Sequence, residues 1–195
     1  MATVDGWRPA SGLPEVAFAG RSNVGKSSLL NRLVRRKAFA RVSNTPGRTR
    51  EINFFKVNEQ FVLVDLPGYG YARISKERKK EWLPLIEGYL RSSLALRGVV
   101  QLLDVRHPAS DDDLQMLDFL AELGAPTIVV LTKIDKLRPR ELATRLQEMA
   151  VQLQLDEEQM IPFSATTNVG RDDLAEAVVS LVAQPSWRGE DPAPL

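Results

Sequence analysis

Between Glu15 and Arg36 the chain reads EVAFAGRSNVGKSSLLNRLVRR, and this stretch decides the fold. Glu15 to Ala19 is a short apolar run closed by a glycine, the pattern of a buried strand. From Lys26 to Arg36 the spacing changes: Leu29, Leu30, Leu33 and Val34 fall on one side of a helix. The turn between them, Gly20-Arg21-Ser22-Asn23-Val24-Gly25-Lys26-Ser27, matches G-x-x-x-x-G-K-[ST] in full. Each part has a physical purpose. Glycines let the backbone curl until successive N–H groups point at phosphate oxygens. The helix that follows adds its positive N-terminal end. In such a loop the lysine, here Lys26, reaches the β and γ phosphates, and the Ser27 hydroxyl takes one position around Mg²⁺.

Working outward, strand-like and helix-like segments alternate. Ser43 to Arg50 is polar and turn-rich, and Ile52 to Val57 and Gln60 to Val64 read as strands joined by a tight Asn58-Glu59 turn, hence antiparallel neighbours. Ser75 to Ser92 has helical spacing, with Ser75 as a cap and Pro84 placed to kink or break it. Val99 to Val105 is a strand, followed by a helix from Ser110, its cap, to Leu123, with Gly124 as the stop. Pro126 to Leu131 is again a strand, Pro139 to Leu153 a helix, Met160 to Phe163 a short strand and Asp172 to Ala183 a last helix. This order predicts a three-layer α/β domain over 13–184: a mostly parallel six-stranded sheet, one antiparallel edge strand, and helices on both faces. Residues 1–12 and 185–195 read as tails, the second rich in proline and charge and expected to be loose.

A phosphate loop alone does not choose between ATP and GTP. Thr132-Lys133-Ile134-Asp135 follows directly after a predicted strand, where an open α/β sheet places its ligand groups. A carboxylate at Asp135 accepts hydrogen bonds from the N1–H and N2–H₂ of guanine, whereas adenine offers no such donor pair. The Lys133 stem can cover the base plane. Asp65-Leu66-Pro67-Gly68, at another strand end, brings a carboxylate for the Mg²⁺ shell and a glycine near the γ phosphate. Phe163 ends the last strand, and the following Ser164-Ala165-Thr166 can support the base through backbone N–H groups.

Composition removes other chemistries. With 195 residues, 44% hydrophobic and 26% charged, the chain suits one ordinary soluble globular domain that needs no staples. It contains no cysteine, which excludes disulfides, thiolate metal sites and cysteine catalysis. MATVDGWRPASGLP has no basic stretch followed by an apolar one, so no secretory signal is read. Apolar runs such as Thr127 to Leu131 are too short to span a bilayer, and a cytoplasmic, non-inserting protein is expected. The net charge of +1 conceals a basic stretch from Arg21 to Arg50 without a single Asp or Glu. Acidic residues gather later, from Asp104 to Glu122. Such polarity marks either an anionic partner or two solvated faces of opposite sign.

These residues resemble the small GTPases of the TrmE–Era–EngA–EngB–septin class, and most closely the EngB family, also called YihA or YsxC. The segments that carry the likeness are GRSNVGKSSLLN from Gly20, TPGRTREINFF from Thr45, DLPGYGYAR from Asp65, DVRHP from Asp104 and LTKIDKL from Leu131. It spans roughly Leu13 to Ala183. The resemblance implies a P-loop G domain that binds GTP or GDP with Mg²⁺ and hydrolyses GTP. It implies association with the large ribosomal subunit or its precursor during assembly, contact with ribosomal RNA, and a link to cell division and septation. It also implies that Ser27 and Thr49 both touch Mg²⁺, with Asp65 reaching it through water. Gly47, Arg48, Thr49, Arg50 and Glu51 then form the first switch, and Asp65, Leu66, Pro67 and Gly68 open the second. The nucleotide-binding set becomes Gly20 to Ser28, including Ser28 itself, both switch segments, Thr132 to Asp135, and Phe163, Ser164 and Ala165; Lys26, Thr49 and Gly68 carry catalysis. Thr132 stands where most G proteins have Asn, and guanine choice rests on Asp135.

After the D-x-x-G motif, Ras-like proteins carry a water-orienting Gln, and here Tyr69 takes that place. Slow intrinsic hydrolysis is therefore expected, with a partner or a monovalent cation supplying the missing charge. Asn23 is the candidate ligand for K⁺, the alternative being that it bonds the loop's own backbone. A monomeric switch that grips ribosomal RNA competes with a protein-interaction switch at the division site that makes no RNA contact. A P-loop small-molecule kinase would leave Asp135 without a purpose.

Overall fold

Val16 and Phe18 alternate with Ala17 and Ala19 along the first strand, so large side chains face one layer of helices and small ones the other. The computed structural model describes residues 12–35, 52–70 and 76–189, with the backbone alone for 76–83. The elements are β1 (Glu15–Gly20), α1 (Lys26–Leu33), β2 (Asn53–Val57), β3 (Phe61–Asp65), α2 (Lys76–Ser92) and β4 (Leu96–Asp104). They continue with α3 (Asp111–Glu122), β5 (Thr127–Thr132), α4 (Pro139–Leu153), β6 (Met160–Phe163) and α5 (Arg171–Ala183). The sheet runs β2-β3-β1-β4-β5-β6. β2 is antiparallel to β3, from Asn53↔Asp65 to Val57↔Phe61, and the remaining pairings are parallel. This is the predicted six-stranded α/β sheet with its antiparallel edge.

Phe18, Leu63, Val100 and Leu102 pack on α1 and α5 through Leu29, Leu30, Leu33, Leu174 and Val178. On the other face Ala17, Val64 and Val99 meet Ile86, Tyr89 and Leu90 of α2 and Met116 and Leu120 of α3. Met149 of α4 closes a third group over Leu103, Val129 and Leu131. β1 thus lies between β3 and β4, with α1 on one face and the β3-to-β4 crossover through α2 on the other. That reversal opens a crevice at the C-terminal end of β1, where α/β sheets bind ligands.

Two local readings are corrected, and the third is narrowed. α1 stops at Leu33 rather than Arg36, because Arg35 enters the left-handed region at φ 53. β4 begins at Leu96, ahead of Val99: Arg97 and Gly98 interrupt the apolar pattern, yet both lie inside the sheet. Arg97 turns its guanidinium onto the Ala95 carbonyl at 3.3 Å, and a Cβ on Gly98 would lie 2.5 Å from the Pro126 carbonyl oxygen. α2 is not broken at Pro84, which is exposed, and Ser75 lies outside the described residues. The hairpin turn is as read. Asn58 and Glu59 have φ 49 and 59, and Gln60 N donates to Val57 O at 2.9 Å, the I′ geometry that matches strand twist. Among the described residues no helix is long and apolar enough to cross a membrane.

Candidate functional site

At the end of β1, Gly20 has no room for a side chain: a Cβ would lie 2.9 Å from Val24 Cγ1 and 3.0 Å from the Leu102 carbonyl oxygen. The loop then turns through Asn23 at φ 65 and Gly25 at φ 107, with Val24 N donating to Arg21 O at 3.1 Å. Buried Val24 pins the loop to the core beneath α1. Gly25 caps α1 with no side-chain hydrogen bond, so the first-turn N–H groups at Lys26, Ser27 and Ser28 can donate to an anion. Lys26 Nζ forms an ion pair with Asp65 and donates to Leu66 O at 2.6 Å; both charged side chains are buried. Ser27 brings a hydroxyl and Asp65 a carboxylate, hard oxygen donors that suit Mg²⁺. No group of three or more His, Cys, Asp or Glu among the described residues could hold a metal unaided. A Mg²⁺ here would draw its remaining ligands from water and phosphate, the usual mode for this ion.

The segment after Asp65 is stitched to the loop. Ser22 N donates to Tyr69 O at 2.8 Å, Tyr69 N to Gly20 O at 3.3 Å, and Ser22 Oγ to Gly68 O at 3.2 Å. Gly68 approaches so closely that a Cβ would be 3.1 Å from Ser22 N and Cα. The Tyr69 side chain turns into the core, where its hydroxyl donates to Asp113 Oδ1 at 2.9 Å and meets the Gln101 amide.

On the other side, β5 delivers Thr132, whose buried hydroxyl lies 2.7 Å from Val24 O and 3.1 Å from Leu103 O. Lys133, at φ 64, extends its ammonium back to Asn23 O and to Asp104 Oδ2 at 2.8 Å. Asp104 also takes the Arg106 guanidinium in two contacts, at 2.9 and 2.7 Å. Burial raises its carboxyl, but Arg106 and then Lys133 outweigh that and hold it at about 2. Asp135 Oδ1 accepts from Ser164 Oγ at 2.7 Å. Burial raises this carboxyl too, while Ser164 and then Lys136 bring it below the ordinary value, so it is an anion at neutral pH. Ser164 Oγ in turn accepts from the Thr166 and Thr167 N–H groups, both at 3.1 Å.

Most residues singled out in the sequence thus gather at the C-terminal edge of the sheet. Gly47, Arg48, Thr49, Arg50 and Glu51 lie outside the described residues. The side chains of Val24, Leu66, Ile134 and Phe163 belong to the core, so these positions have only backbone to offer a ligand. Thr166 N–H is committed to Ser164 rather than directed at a base. Asn23 is exposed, and its side-chain amide makes no hydrogen bond among the described residues; the loop uses its carbonyl instead. Asp104 escaped the residue-level reading, although its place at a strand end on the same edge was a signal. Gln101 and Asp113 gave none.

The described geometry has known counterparts. The family model described as 50S ribosome-binding GTPase matches residues 15–133. A probable GTP-binding protein EngB from Gemmatimonas aurantiaca is 68% identical over 188 residues, covering 96% of this chain and 92% of that protein. Another from Syntrophus aciditrophicus is 51% identical over 177 residues, covering 91% and 90%. Among solved structures, a probable GTP-binding protein EngB superposes with a TM-score of 0.71 at 26% identity, over 86% of this chain and 98% of that one. The Era protein of Aquifex aeolicus shares the fold, with a TM-score of 0.69 at 24% identity over 89% and 58%. Identity at the level of the Gemmatimonas protein extends over nearly the entire length, and the matched segment carries the phosphate loop and Asp65, so the chain belongs to the EngB family of GTP-binding proteins.

Proposed function

We propose that this protein is a Mg²⁺-dependent GTPase that works as a monomeric cytoplasmic switch in assembly of the large ribosomal subunit, with a consequence for cell division and septation. The observation that carries the nucleotide reading is the joining of two half-sites by Lys133, whose ammonium bonds the phosphate loop at Asn23 while Asp135 stands two residues on, held by Ser164. Asp135 accepts from guanine N1–H and N2–H₂, and the Lys133 stem covers the base. Lys26 exchanges part of its contact with Asp65 and Leu66 O for the β and γ phosphates. Ser27 and Thr49, with Asp65 through water, would hold Mg²⁺, which would supply charge for the developing oxyanions. Gly68 would offer its N–H to the γ phosphate, and loss of that phosphate on hydrolysis would remove the contact proposed for Thr49.

Hydrolysis is slow without help, because the residue that follows Gly68 turns its side chain into the core. The exposed amide of Asn23 is the candidate ligand for a K⁺ that would supply charge. Equal phosphate-release rates in K⁺ and Na⁺ buffers would remove that role. The ribosomal part is supported by the description of the matching family model and by the basic composition of Arg21 to Arg50, half of which lies outside the described residues. Co-sedimentation with ribosomal subunits tests it, with a non-hydrolysable GTP analogue, GDP or no nucleotide. Binding to the large subunit in the triphosphate state alone, weakening steeply with salt, is expected. No binding in any state would favour a protein-interaction switch at the division site.

A further inference from the structure

We propose that the Tyr69 hydroxyl is a positioning group for the nucleotide site: held between Gln101 and Asp113, it fixes the Gly68–Tyr69 backbone against the phosphate loop and thereby sets the ratio of triphosphate to diphosphate affinity. The proposal rests on the guanine-nucleotide reading above. Tyr69 follows Gly68 directly, and its backbone is clasped to the loop on both sides, N–H to Gly20 O and carbonyl to Ser22 N. Its ring goes the opposite way and is 2% exposed. A phenol has one proton to give. Asp113 Oδ1 can only accept, so the proton goes there, and the hydroxyl oxygen accepts from Gln101 Nε2. Burial, then the Asp113 charge, raises the phenol well above its ordinary value, so it remains a donor at any working pH.

Neither partner is free to follow a moving loop. Asp113 sits in the first turn of α3 and spends its other oxygen on Ser110, accepting from N at 3.0 Å and from Oγ at 2.7 Å in a capping box. Gln101 is fully buried in the middle of β4. Gly70, at φ 71, closes the remaining escape: a Cβ there would lie 2.9 Å from Arg21 Nε and 3.0 Å from Asp112 Oδ2. The chain therefore passes through a slot between the phosphate loop and α3, with the hydroxyl bolted to two elements behind it. A tyrosine that only filled the core would need one acceptor. This one ties the backbone beside Gly68 to both β4 and α3, so Gly68 meets a γ phosphate already in place, whereas a diphosphate draws nothing from it.

The test compares wild type with Tyr69→Phe and Gln101→Leu. It measures Mg²⁺-dependent affinity for fluorescent GDP and for a non-hydrolysable GTP analogue, with thermal melting alongside. Tyr69→Phe is expected to weaken analogue binding roughly tenfold, the scale of one buried hydrogen bond to a charged group, and to leave GDP binding unchanged. Gln101→Leu removes the second partner together with Gln101 Oε1, a buried acceptor with no hydrogen-bond partner among the described residues. It should shift the same ratio in the same direction by less, with no loss of melting temperature, and so keeps the test decisive if Tyr69→Phe folds poorly. If both affinities fall together with melting temperature, or the ratio stays fixed in both variants, Tyr69 is a packing residue and the proposal fails. If wild type binds neither nucleotide, the guanine-nucleotide reading fails first.

Discussion

In the proposed base site, Asp135 shows how a single carboxylate would be made selective. Ser164 occupies one lone-pair direction of Oδ1 and lowers the carboxyl's proton affinity, while the two N–H groups on Ser164 Oγ keep that hydroxyl aimed. An anion so fixed demands two donors from its ligand. Asp135→Asn replaces one acceptor by a donor and should lower GTP affinity by roughly a thousandfold, while improving binding of xanthosine triphosphate, which carries a carbonyl where guanine has an amine. Competition titrations with both nucleotides measure this; an unchanged GTP affinity would remove Asp135 from the base site. The position of Asp135 was legible in the sequence because it depends on one residue type just past one strand end. What Thr132 bonds was not. It stood out only as a departure from Asn, and its partner at Val24 is 108 residues away.

Among elements, the end of β4 is the one that holds the two halves of the site at a fixed separation. Asp104 grips Lys133, and Lys133 grips the phosphate loop at Asn23. A carboxyl lowered in the folded state contributes fully to stability above its unfolded value, near 3.8, and loses that contribution as pH falls toward about 2. Asp104→Asn should therefore destabilise the protein by roughly 1–3 kcal/mol at neutral pH. The gap to wild type should close between about pH 4 and pH 2 in urea melts, and guanine nucleotide should dissociate faster at pH 7. A gap independent of pH would mean that the ion pair contributes nothing. Here too legibility followed the range of the interaction. Periodicity located each helix and strand, since it depends on neighbours within a few residues. It misplaced the start of β4, where Gly98 is dictated by the Pro126 carbonyl on the next strand, and the end of α1, which a single left-handed residue decides.

For the molecule as a whole, the order β2-β3-β1-β4-β5-β6 places the C-terminal ends of β1, β3, β4, β5 and β6 along one edge, and the described residues of the proposed nucleotide site lie there or just behind it. The alternation of elements foretold a parallel sheet, but strand order depends on which faces the crossovers take, and that is settled by packing rather than by local pattern. One consequence lies at the opposite pole. β2 and β3 leave the sheet side by side at Asn53 and Asp65, next to the two segments expected to switch, and they meet again at the Asn58-Glu59 turn, about 17 Å away along the strands. The chain has no cysteine, so Gln60→Cys, on the exposed side of that turn, would carry the molecule's single thiol. A dye attached there should leave nucleotide affinity unchanged in the same titrations. Surface attachment through that thiol would hold the protein by the pole away from the proposed nucleotide edge, an orientation suited to testing the proposed ribosomal partner one molecule at a time.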